Sequence, residues 1–285
     1  MKNLTIGELE LLSDIKAHTI RTWEKRYNFL SPDRSNTNFR HYSVDQLQTL
    51  LNTSLLNKAG ANISSIAGLD QDEILKKLHN ACAAEGVQLQ KLLNDMILLL
   101  FTGSEEDFSQ VLNRAFNLYQ PIDLITKVIL PFLNKMHDLS HRPQRLVEHY
   151  LLYSVLKKKV LTAINYVATP VNAGKSVLIF STSDEISYLR LLCFGFILQS
   201  EGINVHYIHY HSFDNLLERA VTSRKTAAVL LSVDSKKDCN NLMKLKLFEH
   251  PGQQMIVNVA PPNYNFCTAV SNVDNPTELL ARLNG

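Results

Sequence analysis

Apolar positions along the chain follow three successive patterns. Up to about residue 69 they fall in short helical clusters, broken by one turn-rich stretch, Ser31-Pro32-Asp33-Arg34-Ser35-Asn36-Thr37-Asn38. From 72 to 168 they recur with a period near 3.6, as in Leu89, Leu92, Leu93, Met96, Ile97 and Leu100, then Val128, Ile129, Phe132, Leu133 and Met136. Gly and Pro are scarce there, and Pro121 and Pro131 fall near expected helix starts or kinks. A bundle of about four helices is the expectation. Beyond Thr169-Pro170-Val171-Asn172-Ala173-Gly174-Lys175, a linker by composition, the pattern changes again. Short β-branched runs at 177–180, 205–208, 227–233 and 255–259 alternate with amphipathic stretches at 188–200, 213–224 and 237–248. Such alternation predicts βαβ units, a parallel sheet and a doubly wound domain. The fold class expected is multi-domain, α followed by α/β, with zones at 1–70, 72–168 and 175–285.

The first zone carries the sharpest chemistry. Thr5 followed by Glu8 reads as a capping box that starts a helix, and Ser13-Asp14 reads as its terminating turn. In the next segment, up to Tyr27, Ala17, Ile20, Trp23 and Glu24 share one side of a helix. His18, Arg21, Thr22, Lys25 and Arg26 share the other. A helix packed by its apolar side leaves such a polar side free for a DNA major groove. Local charge agrees. Between residues 16 and 42 the cations Lys16, Arg21, Lys25, Arg26, Arg34 and Arg40 face only two anions, Glu24 and Asp33. Phosphate contact needs such a local excess, together with neutral donors that fix register. Thr19, Tyr27, Ser35, Thr37, His41 and Tyr42 supply donors. For any one of these residues an ordinary solvated surface is as good a reading; the ensemble favours DNA.

The order Ile6-Gly7-Glu8-Leu9, Thr19-Ile20-Arg21-Thr22-Trp23-Glu24-Lys25-Arg26-Tyr27, Leu30-Ser31-Pro32, Arg34, Phe39-Arg40-His41-Tyr42-Ser43 and Asp45-Gln46-Leu47 resembles the MerR family of regulators over about the first 69 residues. The resemblance implies a winged helix-turn-helix whose dimer reads a two-fold operator. Base contacts would come from the second helix, and phosphate contacts from a wing around residues 34–42. The variant from Arg21 to Tyr27 looks most like the light- and cobalamin-responsive branch. In that branch a helical bundle and a Rossmann-like, flavodoxin-like cobalamin-binding domain follow.

That branch uses an Asp/Glu-x-His-x-x-Gly loop after the first strand, where the imidazole ligates cobalt and the glycine admits the corrin. In the present sequence Glu185 matches the acid, Ser187 stands in the histidine position and Arg190 in the glycine position. A serine hydroxyl is no substitute for that imidazole. Ser232 matches a serine that contacts the nucleotide tail, whereas Asn258-Val259 replaces a Gly-Gly pair. In the bundle, Glu148-His149 matches a pair near the upper corrin face, but is read in preference as a core pair left from ancestry. The family's capping Trp has no counterpart, since the sole Trp is Trp23. The expectation is a sensor-like domain that has lost His-ligated cobalamin binding, and hence no cofactor.

Composition narrows the remaining classes. Apolar residues make up 45 % and charged residues 20 %, the balance of a globular protein, while the net charge of +2 leaves any polyanion binding to local clusters. Cys82, Cys193, Cys239 and Cys267 are scattered without metal-ligand spacing, which suits a reduced, cytoplasmic setting. Met1-Lys2-Asn3-Leu4-Thr5 opens without the apolar run of a signal peptide, and the apolar stretch from Met96 to Phe101 is too short to span a membrane. His206, His209 and His211 lack a carboxylate or thiol spaced to complete a metal site, so no metal is expected. Lys157-Lys158-Lys159 reads as a solvated face. No Gly-rich phosphate loop and no nucleophile motif occurs, so the chain is not expected to be an enzyme. A double-stranded DNA operator is the partner expected. A homo-oligomer is expected to rest on the bundle and the α/β zone, with a protein partner or another small ligand as candidate effectors. Three alternatives stand beside this: a cobalamin-responsive regulator with unusual ligation, a corrinoid carrier, and a purely protein-binding module.

Overall fold

The computed structural model describes residues 4–28, 30–34, 38–140, 146–167, 176–181, 185–209, 215–223, 226–233, 235–245, 255–259, 267 and 270–284. The chain divides into two compact units, Met1–Leu152 and Tyr153–Gly285.

The first unit is mostly helical. Helix α1 (Ile6–Ser13) starts at the capping box read from the sequence: Thr5 accepts from the Glu8 amide, and the Glu8 carboxylate accepts from the Thr5 amide at 2.6 Å. It ends at Asp14, held at φ 60°. Helix α2 is Ala17–Tyr27, closed by Asn28 in the left-handed region, which Asn tolerates better than most residues. The two-residue strands β1 (Asp33–Arg34) and β2 (Arg40–His41) pair antiparallel, and Leu4 bridges Tyr42 beside them. Helix α3 (Val44–Lys58) starts at a second capping box, Ser43 with Gln46, and Gln46 also donates to the Ser31 carbonyl at 2.6 Å.

Then come α4 (Ile63–Ile66), α5 (Gln71–Ala81), α6 (Glu85–Thr102), α7 (Glu105–Leu118) and a continuous helical run built of α8 (Pro121–Leu124), a π-helical turn (Ile125–Ile129) and α9 (Leu130–Ser140). Pro121 opens α8 at its first turn, where a missing N–H costs nothing. Pro131 instead lies inside the run, directly after the widened turn. A proline ring collides with the carbonyl four residues back, here that of Lys127, and a π turn at 125–129 relieves that collision without ending the helix.

The first three helices are not packed only on one another. Leu55 and Leu56 of α3 form one apolar cluster with Ile66 and Leu78. The buried Asn94 of α6 donates to the Leu51 carbonyl at 3.4 Å. Helix α9 packs on α1.

The unit boundary falls within α10 (Leu146–Tyr166), whose later part belongs to the second unit. There β3 (Ser176–Ser181), α11 (Glu185–Ser200), β4 (Asn204–His209), α12 (Asn215–Ser223), β5 (Ala228–Leu231), α13 (Lys236–Met243), β6 (Met255–Val259), β7 (Ser271–Val273) and α14 (Pro276–Asn284) follow in turn. All five strands are parallel, in the spatial order β4-β3-β5-β6-β7. This is the order 2-1-3-4-5 of one common doubly wound topology. The α + α/β organisation read from the pattern is therefore observed. Strand β7 was not expected: Ser271-Asn272-Val273 offers one buried apolar side chain and no hydrophobic run.

Candidate nucleic-acid interface

Helix α2 sorts its side chains by the period of the helix. Ile20 is fully buried, Ala17, Trp23 and Glu24 are half-buried, and His18, Arg21, Thr22, Lys25 and Arg26 are exposed. Burial on one side holds the helix to the core. The other side presents a shallow concavity lined by Arg21, Thr22, Lys25 and Arg26. Thr22 Oγ1 donates to the His18 carbonyl at 2.9 Å and keeps its lone pairs toward solvent. The Arg26 guanidinium lies 5.5 Å from the Tyr27 ring centroid, within cation–π range. Thr19 and Tyr27 are half-buried at the margin of this surface.

The start of α2 is fixed from α1. The Glu10 carboxylate accepts from the Ala17 amide at 3.2 Å and pairs with Lys16 at 3.2 Å. Lys16 and that amide together hold the Glu10 carboxyl below the usual carboxylate range. A carboxylate on the first free N–H groups also meets the positive end of the α2 dipole. Lys16, at the N-cap, keeps 74 % of its side chain in solvent.

The β1–β2 ribbon lies against the same helix. Arg34 is exposed and donates to the Asn38 side chain at 2.7 Å. Phe39 is 70 % exposed at the ribbon's edge. Arg40 is half-buried, with its Nε 3.3 Å from Glu24 Oε2. His41 is half-buried and its Nδ1 is enclosed without a hydrogen-bond partner among the described residues. Tyr42 is fully buried, and its hydroxyl donates to Glu24. Burial and the neighbouring carboxylate push the Tyr42 phenol well above its ordinary range. Of the fourteen residues named for DNA, the twelve that the structure describes share one region. Lys16, His18, Arg21, Thr22, Lys25, Arg26 and Arg34 are open to solvent there, while Tyr42 serves the core. Ser35 and Thr37 lie outside the described residues.

The positions compared with a corrinoid site have their own surroundings. Ser187 and Ser232 are each 1 % exposed, and Arg190 is fully buried. The fully buried Asn258 is engaged on both sides: Oδ1 accepts from the Val233 amide at 2.9 Å, and Nδ2 donates to Asn272 at 2.8 Å. Glu185 pairs with Lys157 at 3.5 Å. Lys157 also stands over the Tyr188 ring at 5.0 Å, and Tyr188 stacks on His209 at 4.4 Å. The lysine run thus gives one member to a packed contact. The side chains of Glu148 and His149, and all of His211, lie outside the described residues. Among the described residues no group of His, Cys, Asp and Glu is placed to hold a metal ion, and no helix is long and apolar enough to cross a membrane.

No curated protein matches this chain. A sorted helix with an exposed basic side, set between a capped first helix and a short ribbon, is nonetheless a specific arrangement. Residues 4–73, about a quarter of the chain, match the model described as MerR HTH family regulatory protein, so this segment is similar to a MerR-type helix-turn-helix.

Proposed function

We propose that this chain is a sequence-specific DNA-binding transcriptional regulator, not an enzyme, and that α2 enters the major groove while the β1–β2 ribbon serves as its wing. The exposed row His18, Arg21, Thr22, Lys25 and Arg26 on a helix anchored by Ile20 carries this reading. Arg21, Thr22, Arg26 and His18 read base edges; guanidinium donors suit the acceptors displayed in that groove, and the Thr22 hydroxyl, its proton given to the His18 carbonyl, accepts from an exocyclic amino group. Lys16, Lys25, Arg34 and Arg40 hold phosphates. Tyr42 supports the wing through Glu24. The chain acts as a homodimer or a higher oligomer, as suits a two-fold operator.

The α/β unit keeps a doubly wound sheet without the chemistry for His-ligated cobalamin. Buried Ser187 stands where the resemblance puts the axial histidine, buried Arg190 where it puts the glycine, and Asn258 bonds the segment after β5 to strand β7 where small residues would admit a nucleotide tail. Control then falls to a protein partner or another small ligand.

Two measurements test these statements. Selection from a randomised duplex pool, followed by fluorescence anisotropy on the enriched site, should return one preferred sequence with nanomolar-range affinity, about 10⁻⁸ M or tighter. Failure to enrich any sequence would sink the regulator reading. An absorbance spectrum after incubation with adenosylcobalamin in the dark, then desalting, should show protein alone. Stoichiometric corrinoid would restore a cobalamin-responsive regulator with unusual ligation.

A further inference from the structure

Lys135 belongs to α9, yet its side chain is only 8 % exposed. A lysine is held out of water at high cost unless its ammonium is paired and hydrogen-bonded. Burial draws the Lys135 pKa below the ordinary lysine value, against the pull of Asp14. Its partners lie far back in the chain. Nζ donates to the Leu11 carbonyl at 2.9 Å and to Asp14 Oδ1 at 2.6 Å.

Both partners sit at one place, the turn between α1 and α2. Leu11 lies in the last turn of α1, where carbonyls have no partner inside the helix and where a cation meets the negative end of the dipole. Asp14 is the left-handed residue that ends α1, three positions before α2 begins. An ammonium from the bundle therefore closes the end of one helix and grips the residue that aims the next. An apolar side chain of similar length would fill the same volume without desolvating a charge. What the ammonium adds is direction: two short bonds to fixed acceptors.

We propose that Lys135 is a positioning residue for DNA reading, setting from the bundle the angle at which α2 presents Arg21, Thr22, Lys25 and Arg26. This rests on α2 being the reading helix. Any change in the packing of α9 is then passed to α2 through this contact. The π turn at 125–129, in the same helical run, offers a point where that packing can change.

The test uses the full chain and two probes, the duplex enriched from the randomised pool and a scrambled duplex of equal length. Lys135→Met keeps the stem and removes the charge. Asp14→Gly removes the countercharge at an exposed site whose backbone glycine adopts freely, so it tests the same contact from its other end. Binding is read well below the melting temperature of each variant. Both variants should lose about tenfold in affinity for the enriched duplex and stay within about twofold on the scrambled one, because non-specific binding depends on charge and not on helix angle. Arg26→Ala is the control and should weaken binding to the enriched duplex.

Lower melting temperatures with an unchanged ratio between the two probes would mean a purely structural lysine and would overturn the proposal. No loss with Arg26→Ala would overturn the reading helix itself, and the proposal with it. A loss of ratio in Lys135→Met and Asp14→Gly alongside a loss in Arg26→Ala supports both.

Discussion

The Tyr42 hydroxyl donates to Glu24, eighteen residues earlier, and the same carboxylate pairs with Arg40 at 3.3 Å. Tyr42 is fully buried and the Glu24 side chain is 10 % exposed. One carboxylate on the inner side of α2 therefore sets the register of the ribbon against the helix. A buried acceptor left without its donors costs its full desolvation, so this small network is strongly specified once formed.

Tyr42→Phe tests that network with little change in shape. The ring still fills its site beside Leu4, but Glu24 keeps only Arg40. A hydrogen bond to a charged acceptor is worth about 1.5–3 kcal/mol, and the variant should lose about that much stability in the first unit. Urea unfolding followed by Trp23 fluorescence reports it, since Trp23 lies on α2. An unchanged midpoint would mean that the bond contributes nothing net.

Arg40→Ala separates the ribbon's two roles. The Arg40 Nε lies within ion-pair distance of Glu24, and the terminal nitrogens of a guanidinium in that pose can still reach a phosphate. The variant should weaken binding to the enriched and scrambled duplexes alike and lower the slope of log K against log salt by about one unit. An unchanged slope would leave Arg40 as a partner of Glu24 only.

Much of this arrangement is legible in the sequence, and what is hidden has one physical origin. The capping box at Thr5, the two sides of α2 and the strands β3 to β6 follow from local periodicity and local bonds, which a short window contains. Strand β7 does not, because Ser271-Asn272-Val273 is held as an edge by pairing with β6 and not by its own pattern. Nor does the order of the strands. The roles of Tyr42 and Lys135 depend on partners 18 and 121 positions away. In sequence Tyr42 is one donor beside a basic run, and Lys135 is one more charge on an amphipathic helix.

Cys193 gives a chemical check on the core of the second unit. Burial pushes its thiol from an ordinary value of 9.0 up to about 12, while Arg190 pulls the other way. The folded chain thus keeps a proton that the unfolded chain releases as pH climbs past about 9. Stability carried by that proton is complete below about pH 9 and is lost as pH rises towards 12. Cys193→Ala should flatten the alkaline fall in melting temperature, and native Cys193 should resist iodoacetamide near neutral pH. Rapid alkylation of Cys193 in the folded chain would contradict its burial.

Gly195→Ala asks whether α11 sits as closely on the sheet as its residues indicate. A Cβ at this position would lie 2.8 Å from Ile179 Cδ1 on β3 and would press on the Tyr207 hydroxyl of β4. That hydroxyl is itself bonded to Gln199 at 3.1 Å, so it is not free to swing aside. Helix propensity alone favours alanine over glycine by about 1 kcal/mol. Overpacking opposes it by about 1–3 kcal/mol, and α11 has little room to retreat because its residues from 189 to 198 are all buried. The sign of the effect therefore decides. A lower melting temperature for the second unit, with operator binding by the first unit retained, is the expected result. A higher one would mean that the helix stands further from β3 and β4 than this contact requires.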